Sequence, residues 1–402
     1  INWILNCLQA KTFKIMKSIL FIHQSAELYG SDKTILMFIS SLDKQKYLPV
    51  VILPFDGPLK REFEKNNIKV VIAPVLKLYR KMFTPKGVMK FFKEYKDGLE
   101  IIKELHKTYK FDIVYSHTLA SLIGIVFAKK FKIKHLWHVQ EIIAKPVIFN
   151  KGFIKLLSLK CNDVAVYDSK TTMEFWIKDN PVLAKKSEFV CNGLDIAQKP
   201  LPNLQAIQQI RKDFFNVQPN EVVIALVGRI NSWKGQPLLL DAFQSIVGKY
   251  ENIKLVFIGS APPNQDFFET NLKAKISEYK LKDRVLIIPF QENIWQFWDS
   301  IDIAVVPSTE PEPFGMVAIE AMISKKPVVA ANHGGLTETV VNNHNGLLFE
   351  PNNAKALAEA LEVLINDESK RKLFGENGYH RTIEHFSLEK HVEKFEAIFE
   401  KM

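Results

Sequence analysis

Cysteine is scarce in this 402-residue chain: Cys7, Cys161 and Cys191 lack the paired spacing that a zinc site or a redox motif needs. That scarcity argues against a disulfide framework and points to a reducing cytoplasm. Long apolar runs are missing too, and no stretch of about 18 or more apolar residues marks a spanning helix. The segment Ile1–Lys17 is apolar but broken by Asn2 and Asn6, and no small-residue cleavage site follows it. Residues 1–15 are therefore set apart as an upstream extension ahead of Met16-Lys17. The loop after the first strand, Gln24 to Asp32, holds one glycine, Gly30, so the G-x-G-x-x-G dinucleotide fingerprint is absent. No short-period repeat or low-complexity tract occurs.

What is present fits two α/β domains. The length exceeds what one core usually serves, and 47% hydrophobic residues suffice for ordinary cores. The net charge of +10 is unevenly placed: residues 1–200 hold 33 Lys and Arg against 18 Asp and Glu, whereas residues 201–402 hold 21 against 26. The halves thus carry +15 and −5, which suggests different partners for each.

Short apolar runs alternate with amphipathic segments, as a parallel sheet with helical crossovers requires. In the first half the expected strands are Ser18–His23, Val50–Leu53, Val70–Ala73, Ile113–Ser116, His135–His138, Val164–Tyr167 and Glu188–Val190. Ala197–Asn203, with two prolines and no periodicity, reads as the linker. The second half starts with a helix over Leu204–Phe215, then strands Val222–Val227, Leu255–Ile258, Val285–Ile288, Ile303–Val306, Val328–Ala331 and Leu347–Phe349. The expected organisation is two Rossmann-like, doubly wound domains over residues 16–196 and 204–385, facing across a cleft. Residues 197–203 join them. Residues 386–402 form a terminal helix capped at Ser387 and a candidate for packing back on the first domain.

The second half carries the chemistry. Glu312 stands in a proline-bracketed turn, Phe314-Gly315 opens a helix, and Glu320 falls about one and a half turns in. A helix start after glycine offers free N–H groups to an anion, and two carboxylates beside it suit sugar and ribose hydroxyls. Upstream, Val227-Gly228-Arg229-Ile230 and Trp233-Lys234-Gly235 put two cations at a strand end, where a diphosphate needs neutralising.

The run Glu312-Pro-Phe-Gly-Met-Val-Ala-Ile-Glu320 resembles the E-x7-E motif of the retaining glycosyltransferases of family 4, which have the GT-B fold. Gly334-Gly335-Leu336-Thr337-Glu338 and Asn345-Gly346 match the family's next two turns, and the likeness covers most of the chain, strongest from Val227 to Gly346. The resemblance implies that Arg229 and Lys234, with Gly228, hold the diphosphate of a sugar nucleotide, that Glu320 binds its ribose, and that Glu312 touches the transferred sugar. Phe314 and Gly315 form the helix start. Pro289-Phe290-Gln291 lies where the family wraps the nucleobase, which places Phe290 at the base.

In the first half, Tyr29-Gly30 resembles the glycine loop of bacterial polysaccharide glycosyltransferases, with Gly30 near the donor phosphates or acceptor, although the family has two adjacent glycines there. His138, at a strand end, matches a cleft histidine that contacts the transferred sugar, and His117 makes a weaker candidate. Asn192-Gly193-Leu194-Asp195 matches a family turn before the linker and is assigned a structural role or a hinge.

The implied reaction moves a sugar from a nucleotide diphosphate to a hydroxyl on a saccharide or lipid-linked acceptor, with retention and without a metal or cofactor. Two stretches mixing cations with apolar groups, 77–96 and 145–160, suggest docking of the first half on an anionic membrane surface, on the inner face of the membrane. They hold Lys77, Arg80, Lys81, Lys86, Lys90, Lys93 and Lys96 with Tyr79, Met82, Phe83, Phe91, Phe92 and Tyr95, and Lys145, Lys151, Lys155 and Lys160 with Phe149, Phe153, Ile154 and Leu157. The rivals are a sugar-nucleotide epimerase on the same fold, a glycoside hydrolase using the two glutamates, and a basic nucleic-acid-binding protein, for which no reader motif is found. The identities of base, sugar and acceptor stay open.

Overall fold

A computed structural model describes residues 16–77 and 84–402. The segment set apart at residues 1–15, and Tyr79, Arg80, Lys81, Met82 and Phe83 of the first basic-aromatic stretch, lie outside the described residues.

Among the described residues, seven strands form the first sheet: β1 (Lys17–Ile22), β2 (Tyr47–Leu53), β3 (Lys69–Ile72), β4 (Ile113–His117), β5 (Lys134–Val139), β6 (Val164–Tyr167) and β7 (Ser187–Phe189). Their order is β3-β2-β1-β4-β5-β6-β7, every pair parallel. The second sheet contains β8 (Val222–Val227), β9 (Ile253–Ile258), β10 (Val285–Ile288), β11 (Ile303–Val306), β12 (Val328–Ala331) and β13 (Gly346–Phe349). It runs β10-β9-β8-β11-β12-β13, again all parallel.

Each strand expected from the sequence exists: β6, β8, β10, β11 and β12 have the expected bounds, and the others have shifted ends. The largest shift is at β2, which begins at Tyr47, three residues before the expected Val50. Val190 and His23 fall one residue past the ends of β7 and β1, although the N–H of each still bonds the neighbouring strand, Val190 to the Tyr167 carbonyl at 2.8 Å and His23 to the Ile52 carbonyl at 3.1 Å. The expected linker is partly ordered: Ile196–Gln198 form a single 3₁₀ turn capped by Asp195, and Lys199 pairs with Asp299 at 2.9 Å.

Both sheets are buried on two faces, which is why the strands read as continuous apolar runs rather than alternating ones. Strand order reverses beside β1/β4 in the first sheet and beside β8/β11 in the second. Loops leaving those strands diverge to opposite faces and open a crevice, the place where doubly wound sheets bind ligands.

The chain's last helix, Leu388–Lys401, begins at Ser387, whose hydroxyl accepts from Lys390 N–H. It returns to the first sheet rather than staying with the second. Phe395 and Phe399 are fully buried against Phe21, Phe38 and Tyr115, with Phe38 and Phe395 ring centres 4.7 Å apart. Leu194 bridges to Ser387, so the Asn192–Asp195 turn lies where the two crossing segments meet. A Cβ on Gly193 would sit 2.7 Å from the His391 Cβ, which leaves that crossing no room for a side chain.

Candidate functional site

The loop after β8 delivers the two cations. Arg229 is exposed, and its guanidinium lies 4.5 Å from the ring centre of Tyr29, which comes from the loop after β1 in the other domain. That contact spans the crevice with a cation over an aromatic face. Lys234 Nζ stands 4.3 Å from the Trp233 ring centre and 2.7 Å from Glu312 Oε1. Gly235, at φ 81°, follows it into the helix Gln236–Ile246; a Cβ there would lie 2.0 Å from the Pro307 carbonyl oxygen, so glycine alone lets this loop touch the end of β11.

Glu312 comes from the loop after β11. Its side chain is 7% exposed and Lys234 is 17% exposed, and Oε1 also accepts the Ser308 hydroxyl. The Ser308 carbonyl in turn is bonded by His333 Nε2 at 2.8 Å. On the backbone, the Glu312 carbonyl accepts from Gly335 N–H at 2.7 Å. Gly334 reaches φ 60° there, and a Cβ would fall 2.3 Å from the Glu312 oxygen. The two glycines of the Gly-Gly-Leu-Thr-Glu run therefore exist to let one loop lie on another.

Glu320 lies in the helix Met316–Ile323, half-buried, with Trp298 Nε1–H donating to Oε2 at 3.3 Å. Burial pushes its carboxyl pKa up, while the indole bond and the ammonium groups of Lys33 and Lys234 pull it down. Lys33 belongs to the helix Gly30–Ser40 of the other domain, so the two domains meet electrostatically here. The helix Met316–Ile323 starts at Gly315, φ 97°, which supplies no capping side chain. The Ala318 N–H bonds the Gly315 carbonyl at 2.9 Å, and the start of the turn ahead of it has no side-chain cap, which suits an acceptor from outside.

Not every expected site residue opens on this crevice. Phe314 is 2% exposed, its ring 5.5 Å from Phe386, and it contributes backbone rather than a face. Phe290 is 55% exposed, its N–H bonded to Ser260 Oγ at the end of β9. Gly228 turns the chain at φ 151° beneath Lys234. Gly30 is the exposed first residue of its helix, and a Cβ there would meet nothing within 4 Å, so the fold itself has no steric need for glycine at that position.

His138 is placed differently from the expectation of a cleft wall. It is 1% exposed, its Nδ1 is 2.5 Å from the Tyr115 hydroxyl, and its ring packs on Phe395 and His391 of the terminal helix. Alternation along β5 explains this. His138 shares a face with Leu136, and Leu136 belongs to the cluster that the terminal helix covers. His117 is equally enclosed, bonded to His23 at 2.8 Å, and His23 to Asp32 at 2.6 Å. Burial drives the pKa values of His117 and His138 well below the usual histidine range, which keeps both neutral.

The second basic-aromatic stretch is also divided by packing. Phe153 and Leu157 face the core, whereas Val147 and Ile148 are exposed beside Lys145 and Lys151. On the helix Pro85–Tyr109, Val88, Met89 and Phe92 are exposed among Lys86, Lys90 and Lys93. Phe91 and Tyr95 pack against buried residues. No helix among the described residues is long and apolar enough to cross a membrane, and none of their His, Cys, Asp and Glu side chains cluster in threes that could hold a metal.

Sequence reasoning missed Tyr29, Lys33, Trp298, Ser308 and His333. Tyr29, Lys33, Trp298 and His333 have partners in another loop or helix, and Ser308 meets Glu312 within one irregular loop, so local pattern carries no sign of them.

Residues 208–381 match the family model "Glycosyl transferases group 1". The capsular polysaccharide biosynthesis glycosyltransferase CapM of Staphylococcus aureus is 28% identical over 371 residues, covering 89% of this chain and 90% of that protein. The lipopolysaccharide core biosynthesis mannosyltransferase LpsB of Rhizobium meliloti is 25% identical over 217 residues, 53% of this chain and 60% of LpsB. Among solved structures, Anabaena Alr3699/HepE in complex with UDP and glucose superposes with a TM-score of 0.81, at 23% identity, over 96% of this chain and all of that one. That similarity places the two facing domains in the GT-B architecture.

Proposed function

We propose that this chain, a glycosyltransferase with the GT-B fold related to enzymes of bacterial polysaccharide and lipopolysaccharide biosynthesis, draws its sugar from a nucleotide diphosphate held in the second domain and transfers it with retention, as family 4 enzymes do. The observation that carries the reading is the convergence of Arg229, Lys234, Glu312, Glu320 and the Gly315 helix start at the crevice beside β8 and β11. Two cations and a helix N-terminus suit a diphosphate, and they stabilise the charge that develops as it leaves. Glu320, with Trp298 behind it, suits ribose hydroxyls. Glu312 is aimed by Lys234 and Ser308 at the position of the sugar. The exposed Phe290 fits the edge of the base.

No nucleophile need be named for this chemistry. The departing phosphate oxygen can accept the proton of the acceptor hydroxyl, so that the C–O bond to the leaving group breaks as the new C–O bond forms on the same face. That UDP and glucose are bound by HepE makes a uridine nucleotide the first donor to test. A thermal-shift screen against UDP-, GDP-, ADP- and dTDP-sugars, followed by product analysis with and without acceptor, tests the reading. Stabilisation by one series and sugar transfer support it; stabilisation by none, or isomerised sugar nucleotide without acceptor, would contradict it.

The acceptor side is proposed to be a saccharide or lipid-linked hydroxyl reached at an anionic membrane surface on the cytoplasmic face. Support comes from the +15 balance of residues 1–200 and from Met89, Phe92, Val147 and Ile148 standing exposed beside lysines. Each cation near such a surface contributes about 1 kcal/mol. Co-sedimentation with liposomes should need anionic lipid, weaken with salt and drop when Lys86, Lys90 and Lys93 become Glu; equal sedimentation with neutral vesicles would refute the docking.

A further inference from the structure

Glu312 is gripped from the other domain as well as from its own. The helix Lys170–Ile177, which follows β6 in the first domain, starts at Ser169. The Ser169 hydroxyl accepts from Thr172 N–H and donates to the Pro313 carbonyl at 2.6 Å, and Thr172 Oγ1 donates to the same carbonyl at 2.9 Å. Ser169 and Thr172 are fully buried. Pro313 is the residue after Glu312, so the peptide flanking that carboxylate is held on one side by Gly335 of its own domain and on the other by two hydroxyls of the opposite domain.

A second set of bonds fastens the same junction. Glu338, at the end of the Gly-Gly-Leu-Thr-Glu run, accepts from Lys170 N–H at 3.0 Å and from both N–H and Oγ1 of Thr171 at 2.6 Å. These are the otherwise unmet first-turn donors of the Lys170–Ile177 helix, and a carboxylate is the group that a helix N-terminus attracts. Arg381 fixes Glu338 from behind by donating to its carbonyl at 2.6 Å. The helix start therefore holds Pro313 and Glu338 together, and Gly335, between them in space, bonds Glu312.

We infer that Ser169, Thr172 and Glu338 form an interdomain latch that positions Glu312, so that the donor site is complete for transfer only while the first domain is docked on it. The inference rests on the donor-site reading proposed above. Arg229, Lys234 and Glu320 belong wholly to the second domain and need no latch to meet a nucleotide. Glu312 depends on it, because two of the hydrogen bonds that fix its loop come from the opposite domain. Loss of the latch should thus lower turnover and leave nucleotide affinity almost unchanged. These three are positioning residues: none faces the crevice where the sugar would lie.

The test compares Ser169→Ala/Thr172→Val, Glu338→Ala and the conservative Thr172→Ser, which keeps the hydroxyl, with Glu312→Gln as reference. Three readings are taken on folded full-length protein: UDP affinity by calorimetry, release of nucleoside diphosphate from the donor that the thermal-shift screen selects, and hydrogen exchange in residues 311–315. In the first two variants, turnover should fall at least tenfold, exchange at 311–315 should accelerate at least tenfold, and the UDP Kd should stay within threefold. Thr172→Ser should retain turnover within threefold. Turnover within twofold and unchanged exchange in the latch variants, with Glu312→Gln inactive, would overturn the latch alone. A Glu312→Gln protein of wild-type turnover would instead overturn the donor-site reading. A matching loss of UDP affinity in the latch variants would mean that the junction merely supports the domain.

Discussion

Replacing Glu312 by Gln should tighten the binding of a nucleoside diphosphate while removing most of the transfer. Without ligand, Lys234 is already neutralised by Glu312 at 2.7 Å, in a setting where both side chains are largely enclosed. A diphosphate must compete with that carboxylate for the ammonium, and it also meets the carboxylate's own repulsion. Two unit charges about 4 Å apart interact by about 1 kcal/mol in bulk water and about 4 kcal/mol at the effective dielectric near a protein surface. Taking about 1–3 kcal/mol for this half-shielded pair, UDP affinity should rise roughly 5- to 150-fold. Lys234→Met should do the reverse, because it removes the cation and strands the carboxylate. Calorimetry with UDP and with UDP-glucose at one ionic strength distinguishes the roles. UDP should gain more than UDP-glucose, since the sugar nucleotide loses its contact with Glu312. Weaker UDP binding in Glu312→Gln, parallel to Lys234→Met, would refute the competition and make the ion pair a structural brace.

Other consequences follow from the buried interior. His138→Ala strands the Tyr115 hydroxyl and should cost about 1–3 kcal/mol in urea unfolding with turnover per folded molecule within twofold; a selective loss of turnover would return His138 to the sugar. Phe395→Ala empties a site between the terminal helix and the first sheet and should cost about 3–5 kcal/mol, against little change if the terminal helix were only loosely attached. Burial lowers the pKa values of His135 and His391 to about 4, so their neutral forms favour the folded state above the ordinary histidine range, and that stability drains away as pH falls from about 6.5 to about 4. His391→Gln should flatten the loss measured between pH 7 and pH 5, and an unchanged slope would contradict the assignment. Glu141 acts with the opposite sign: burial raises its carboxyl to about 7, so its contribution is present in acid and is lost as pH rises through 7, and Glu141→Gln should gain relative to wild type between pH 5 and pH 8.

The strands were legible because parallel sheets buried on both faces demand unbroken apolar runs, and Val222–Val227 or Val328–Ala331 admit no other use. The start of β2 was obscured by Pro49, which reads as a breaker yet sits at a position where the strand pairs with Ile19. Glu312, Glu320, Arg229 and Lys234 were legible because their spacing reports a loop, a helix start and a strand end. Tyr29, Trp298 and His333 were not, since each acquires its role from a contact between separate loops or helices, and Ser308 bonds Glu312 within one irregular loop that has no sequence period. His138 was misread by position: a strand end suggests the crevice, but side chains alternate, and the parity shared with Leu136 already pointed it at the face that the terminal helix covers. Nothing local to Ser169 and Thr172 announces that their hydroxyls reach Pro313 in the other domain.

The most direct measurement is the affinity of folded wild-type, Arg229→Ala and Glu320→Ala proteins for the sugar nucleotide chosen by the thermal-shift screen, taken alongside the transfer rate. Removing the exposed guanidinium, or the half-buried carboxylate backed by Trp298, should weaken binding at least tenfold, about 1.4 kcal/mol, and abolish most transfer at unchanged unfolding midpoint. Wild-type affinity and wild-type rate in both variants would contradict a donor site at the crevice beside β8 and β11.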